Sequence, residues 1–253
     1  MSNILIALAI SLGINLLMFI PAFKFKTDKL TDISYAVTFV VVSISTMMLN
    51  KITLPAVILV IMIFIWAVRL GVYLFIRIQK TGRDKRFDDK RDYFWKFLSF
   101  WILQGISVWV ILIPSVLFFE NTTNNFILIS VFGMIIWLLG LIIEAVADSQ
   151  KFNFKSNPKN KKKWIESGLW KYSRHPNYLG EIMIWYGIYF FIISYLDTVS
   201  VILGLIGPVY ISLLLFFVSG VPLLEKRADK KWRKNEKYIE YKKRTGVLFP
   251  KVF

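Results

Sequence analysis

The chain has 253 residues, 56% of them hydrophobic, and a formal net charge of +16. That composition excludes an ordinary soluble domain, whose apolar residues are fewer and more dispersed. With no cysteine and a single histidine, disulfides and thiolate metal sites are excluded, and no zinc or haem centre is expected.

Uncharged runs cover Met1–Phe23, Ile33–Asn50, Ile52–Val68, Phe97–Phe119, Asn121–Ile143, Ile182–Leu196 and Thr198–Leu224. A hydrocarbon core about 30 Å thick takes about 20 apolar residues as helix. The runs therefore predict an all-α integral membrane bundle of about seven transmembrane helices in one domain, 1–253. The first run lacks a basic leader and a small-residue cleavage site, so it reads as a retained helix. Polar residues in the first two spans are few and small: Ser11, Asn15, Ser34, Ser43, Ser45 and Thr46.

The third run continues past Arg69 to about Ile76. A charge at that depth snorkels, pairs with another helix or lines a polar cavity. The loop that follows mixes both signs. It is either a solvated connector or a phosphate-holding one, through Arg83, Arg86 or Arg91, whose planar forks suit phosphate oxygens.

Basic residues alternate between loops. Residues 77–96 carry eight, 120–125 none, 149–174 eight, the connector at Asp197 none, and the tail after Leu224 eleven. By the positive-inside rule the basic segments are cytoplasmic, the N-terminus is outside and the C-terminus inside. Membrane orientation and anionic lipid at the cytoplasmic face account for the +16, so no nucleic acid is expected as a partner.

The fifth span ends in a stripe. Glu144, Asp148, Lys151 and Lys155 follow at steps of four, three and four, which places them on one helical face. They pair along that face, or they line a pocket with acids at one end and bases at the other. A carboxylate directly after IIWLLGLII requires a partner or a wet cavity.

Next comes "GLWKYSRHPNYLGE", Gly168 to Glu181. Pro176 pushes His175 out of helical geometry, so the sixth span starts at about Pro176 or Asn177, with Asn177 a good cap. Arg174 and His175 beside a helix start make a candidate anion site. The bland alternative is a hydrogen-bonded structural histidine. Glu181 lies four residues past Asn177, on the same face. In the tail, Pro222 ends or kinks the last span. Leu224, Ala228, Trp232, Tyr238 and Tyr241 then alternate with bases, as in an interfacial amphipathic helix. Glu225 is another carboxylate at the membrane edge.

These residues point to an enzyme with a cytoplasmic pocket that takes a soluble cofactor and a lipophilic substrate from the bilayer. No Gly-rich phosphate loop of the GxGxxG kind is present. There are no repeated halves of the transporter kind.

"GLWKYSRHPNYLGE", with "RLGVYLFIRI…GRDKRF" and "GVPLLEKRADKKW…YIEYKKRTGVLFP", resembles the DUF1295 membrane proteins over roughly residues 30–253. That group is similar to the C-terminal domain of steroid 5-alpha-reductases. The RHPNYxGE core is shared with sterol C14 reductases and isoprenylcysteine carboxyl methyltransferases. On the reductase branch the resemblance implies NADPH, held by an Asn-x-x-x-Asp pair and a later Arg. Their spacing falls on Glu144, Asp148 and Lys155, so two of the three residue types differ. Asn177 and Glu181 match the reductase motif. Arg174, His175 and Tyr178 match the sterol reductase and methyltransferase version. The implied reaction is reduction of a conjugated C=C bond in a sterol-, enone- or fatty-acyl-like substrate. Tyr178 and Glu181 stand near the reacting centre, and Glu225 closes the cofactor pocket. The alternatives are an S-adenosylmethionine-dependent methyltransferase and a non-enzymatic lipid-binding protein. Ile-, Lys- and Asn-rich usage points to a bacterial cell membrane.

Overall fold

The computed structural model describes residues 2–82, 84, 87–123 and 128–251. The helices are α1 (Asn3–Lys24), α2 (Lys29–Met48), α3 (Leu54–Thr81), α4 (Phe94–Asn121), α5 (Leu128–Ser156), α6 (Pro176–Ile192), α7 (Thr198–Gly204), α8 (Ile206–Leu213), α9 (Val221–Trp232) and α10 (Glu236–Arg244). Among the described residues there is no strand, only one isolated bridge between Ser173 and Gly246.

Seven helical stretches are long and apolar enough to cross a membrane. The sixth starts at Pro176, as its sequence predicts, and the third runs to Lys80, one turn past the expected end at Ile76. The seventh, Thr198–Trp232, is interrupted. It widens into a π-helical turn at Leu214–Val218, and α9 begins afresh at Val221. Pro222 sits in the first turn of α9, where its missing N–H costs nothing. The break in the last span therefore falls directly before Pro222, which opens the new helix. The amphipathic tail is likewise two helices, α9 and α10, and Asn235 caps the second by accepting from the Tyr238 N–H.

The chain divides into two compact units, Met1–Ser130 with Phe191–Gly207, and Val131–Phe190 with Pro208–Phe253. In the first, α1 packs on α2 and α4, α2 on α3 and α4, and α7 on α4. Phe19, Ala22, Phe87, Phe97 and Trp101 form an apolar core. The polar residues of α1 and α2 that looked generic build a buried seam. Gln104 donates to Asn15 Oδ1 (2.9 Å), Ser34 Oγ (2.9 Å) and the Thr31 carbonyl (3.1 Å). Asn15 donates to Thr38 (3.2 Å), and Ser11 to the Gly105 carbonyl (2.7 Å). Hydrogen bonds of this kind hold helices together where no hydrophobic force acts between them.

Asn3 bonds Asn50, and Thr53 meets Thr122, at one end of this unit. At the other end Lys26 pairs with Asp92 (3.1 Å), and Arg91 with Asp28 (3.4 Å). The basic loops 24–29 and 77–96 thus share an end, as the charge alternation requires. Arg91 is engaged by Asp28 of the first loop and, within its own, by Asp88 and the carbonyls of Asp84 and Phe87. Arg83 and Arg86 lie outside the described residues. Arg69 belongs to α3 of this unit.

In the second unit α5 and α6 cross with their backbones almost touching. A Cβ on Gly180 would lie 2.7 Å from the Gly140 carbonyl and 2.6 Å from the Glu144 nitrogen. A Cβ on Gly187 would lie 2.8 Å from the Gly133 carbonyl. Small residues seven apart on both helices permit this approach. The crossing sets Glu144 directly against the first turns of α6.

Candidate functional site

Three strands of chain meet at the start of α6. The first is the end of α5. Trp170 donates its indole N–H to the Ala147 carbonyl (3.1 Å), and Lys151 lies over its ring at 4.5 Å. Gln150 accepts from the Leu169 N–H (3.0 Å). Gly168 turns with φ +61°, and a Cβ there would collide with the Gln150 side chain. The positive φ is the backbone geometry that favours glycine at the turn placing Trp170 on α5.

The second is the segment 173–175, which runs beside the tail. Arg174 N–H donates to the Gly246 carbonyl (2.9 Å) and His175 N–H to that of Val247 (3.1 Å). Tyr241 donates its hydroxyl to the Trp170 carbonyl (2.8 Å). Burial pushes the Tyr241 phenol well above its ordinary range.

The third is α9, which brings Glu225. Its Oε1 receives Arg174 Nε (3.1 Å) and His175 Nε2 (3.0 Å), and its Oε2 receives Lys242 Nζ (3.0 Å). Arg174 spends further N–H groups on the Lys242 and Thr245 carbonyls (3.0 and 2.8 Å). Lys242 also holds Asp229 (2.7 Å), to which Tyr238 donates at 3.1 Å. Glu225 is the hub of a clasp that locks the tail onto the start of α6. Lys242, Asp229 and the Trp170 lock were not singled out in the sequence. The tail reads there as an interfacial amphipathic helix, with its bases facing the lipid surface.

His175 is 4% exposed. Burial lowers its pKa below the ordinary 6.5, overcoming the hydrogen bond to Glu225, and the Lys151 charge adds to the effect. The ring is therefore neutral near pH 7, and the carboxylate at Nε2 fixes the proton on that nitrogen. Nδ1 is left as a bare acceptor. It is buried and has no hydrogen-bond partner among the described residues, and the same holds for Asn177 Oδ1. Asn177 does not cap α6. The first helical residue is Pro176, with the His175 carbonyl accepting from Tyr178 and Leu179. Tyr178 stacks on the His175 ring, centroids 5.6 Å apart and planes 8° from parallel.

Glu144, at the crossing, and Asp148, one turn further along α5, are 2% and 4% exposed. Glu181 is half-buried one residue after Gly180. Lys155 is exposed, two turns beyond Asp148. Of the sequence-derived candidates, the structure joins Arg174, His175, Tyr178 and Glu225 by direct contact and sets Glu144 beside Gly180. Among the described residues no group of His, Asp and Glu is arranged to hold a metal ion.

The fold and this site define a class, an all-α multi-pass integral membrane protein with a buried polar cluster where its sixth span begins. The chain belongs to the family described as "Protein of unknown function (DUF1295)", whose model matches residues 18–245. No curated protein and no solved structure matches it.

Proposed function

We propose that this protein is an NADPH-dependent reductase of a conjugated C=C bond in a lipophilic substrate taken from the bilayer. The reading is carried by two buried acceptors, His175 Nδ1 and Asn177 Oδ1, that meet no donor among the described residues. Buried acceptors of this kind are costly unless a ligand or water satisfies them. A carboxamide, which offers two N–H groups, is complementary to them. Glu144 and Asp148 are buried carboxylates suited to ribose hydroxyls, and Lys155 at the exposed end of α5 to phosphate. Arg174 and Glu225 act through His175, whose tautomer and position they set.

When bound, the dinucleotide supplies a hydride for the β-carbon of the double bond. The protein's own part is to hold the substrate carbonyl and deliver a proton to the α-carbon. Tyr178 and Glu181 are the candidate donors, and either one polarises the carbonyl by hydrogen bonding as charge develops on its oxygen.

A second reading, an S-adenosylmethionine-dependent methyltransferase, is favoured by Glu144 and Asp148, since buried carboxylates also suit an ammonium group. Methyl transfer to a carboxylate needs no proton donor, so it leaves Tyr178 and Glu181 without a role.

Purified protein in detergent should bind NADPH saturably. Asp148→Ala and Asn177→Ala should each weaken binding about tenfold or more, the loss of one or two buried hydrogen bonds. Thermal stabilisation by S-adenosylmethionine and not by NADPH would reverse the order of the two readings. Stabilisation by neither would favour a non-enzymatic lipid-binding protein.

A further inference from the structure

The tail holds a second feature, separate from the start of α6. A cavity of about 680 Å³ opens between α9 and α10. Its walls carry Arg233, Lys242, Lys243 and Lys251 against one carboxylate, Asp229, a net of +3. That carboxylate is already engaged by Lys242 (2.7 Å) and by the Tyr238 hydroxyl (3.1 Å). Arg233 and Lys243 are exposed and have no carboxylate partner among the described residues. Lys251 is held on the cavity by a hydrogen bond from its ammonium to the Lys243 carbonyl.

Like charges gathered around one hollow repel one another. In an exposed helix they would normally splay into solvent. Here the frame is fixed from beneath. Tyr238 is 3% exposed, and its ring packs against Trp164 and Trp232 at 5.4 and 5.7 Å. Asn235 caps α10 through the Tyr238 N–H. The helices that carry Arg233, Lys242 and Lys243 are therefore anchored on a buried aromatic cluster. An arginine fork with flanking ammonium groups matches the oxygens of a phosphate.

We infer that the cavity between α9 and α10 binds a phosphate group, presented either free in solution or on the headgroup of an anionic lipid. Lys242 ties this cavity to the clasp, because the same ammonium bridges Asp229 and Glu225. A bound phosphate offsets the net positive charge of the cavity and, by binding the folded chain, stabilises it. The inference does not rest on the reductase reading.

The test uses full-length protein in detergent and reads its thermal unfolding midpoint. One arm titrates inorganic pyrophosphate against chloride at matched ionic strength. The other adds short-chain phosphatidic acid to the micelles, with short-chain phosphatidylcholine as the reference. A saturable rise with pyrophosphate identifies a free phosphate as ligand. A rise with phosphatidic acid alone identifies the lipid headgroup. In either case R233Q/K243Q should weaken the half-saturating concentration at least tenfold, whereas K230Q/K234Q, with the same charge change outside the cavity, should leave it within about twofold. No rise in either arm overturns the inference. So does an unchanged response in R233Q/K243Q, or an equal loss in K230Q/K234Q, which would mark a diffuse charge effect.

Discussion

His175 meets a carboxylate at Nε2 and no hydrogen-bonding group of the described chain at Nδ1. That asymmetry has a pH consequence. Above about 6.5 the imidazole is neutral in both folded and unfolded chains and contributes no pH dependence. Below it the unfolded chain takes up a proton that the buried ring resists, so the unfolded state binds more protons and stability falls as pH falls. The unfolding midpoint in detergent should therefore drop on acidification below about 6.5, and His175→Gln should flatten that part of the profile. Glu225 makes a separate prediction. Its carboxylate serves Arg174, His175 and Lys242 at once. Glu225→Gln should cost about 1–3 kcal/mol, the penalty for leaving partly buried donors short of their acceptor. Denaturant or thermal unfolding measures it. The sequence placed Arg174, His175 and Glu225 in one pocket. It did not show that the arginine turns toward the chain's own tail, because nothing local pairs residue 174 with residue 225.

At the scale of elements, the crossing of α5 and α6 is the joint on which the site depends. The Cβ of an alanine at 180 would have to share space with the Glu144 backbone nitrogen, 2.6 Å away. Backbone cannot swing aside as a flexible side chain can. Gly180→Ala should force the helices apart at a cost of about 1–3 kcal/mol, visible as a lower unfolding midpoint. Gly13→Ala is the matched control. A Cβ there meets nothing within 4 Å, and alanine is the better helix former by about 1 kcal/mol, so stability should hold or rise. The seven-residue spacing of Gly133 and Gly140, and of Gly180 and Gly187, is visible in the sequence. Its meaning is not, until the two pairs are known to face each other. The tail break at Ser219–Gly220 is similar. Pro222 announces a discontinuity, but the π-turn before it leaves no clear mark in LLFFV.

For the whole molecule, the charge pattern makes a topological prediction that the absence of native cysteine renders simple to check. Thr123→Cys, in an exposed non-basic connector, should be labelled by an impermeant maleimide from outside intact cells. Lys163→Cys, in the exposed lysine-rich segment, should react only after the membrane is opened. The opposite pattern would invert the orientation.

The sequence by itself determined the solvent, the number of spans and the expected sidedness. Hydrocarbon selects for uninterrupted apolar helices, and interfacial charge selects for orientation, and both act on composition along the chain. It also marked the start of α6, because Pro176 breaks the backbone wherever it falls. Only the tertiary structure decided which polar groups are spent on the fold and which are left over. The donors of Arg174 go to the tail, the amide of Gln104 to the seam of the first unit, and Arg91 to its own loop and to Asp28 before α2. His175 Nδ1 and Asn177 Oδ1 are left. The physical reason is that hydrogen bonds and ion pairs in a helical bundle close between residues far apart in sequence. Whether a buried polar group is satisfied depends on the helix packed against it, and no local pattern records that neighbour.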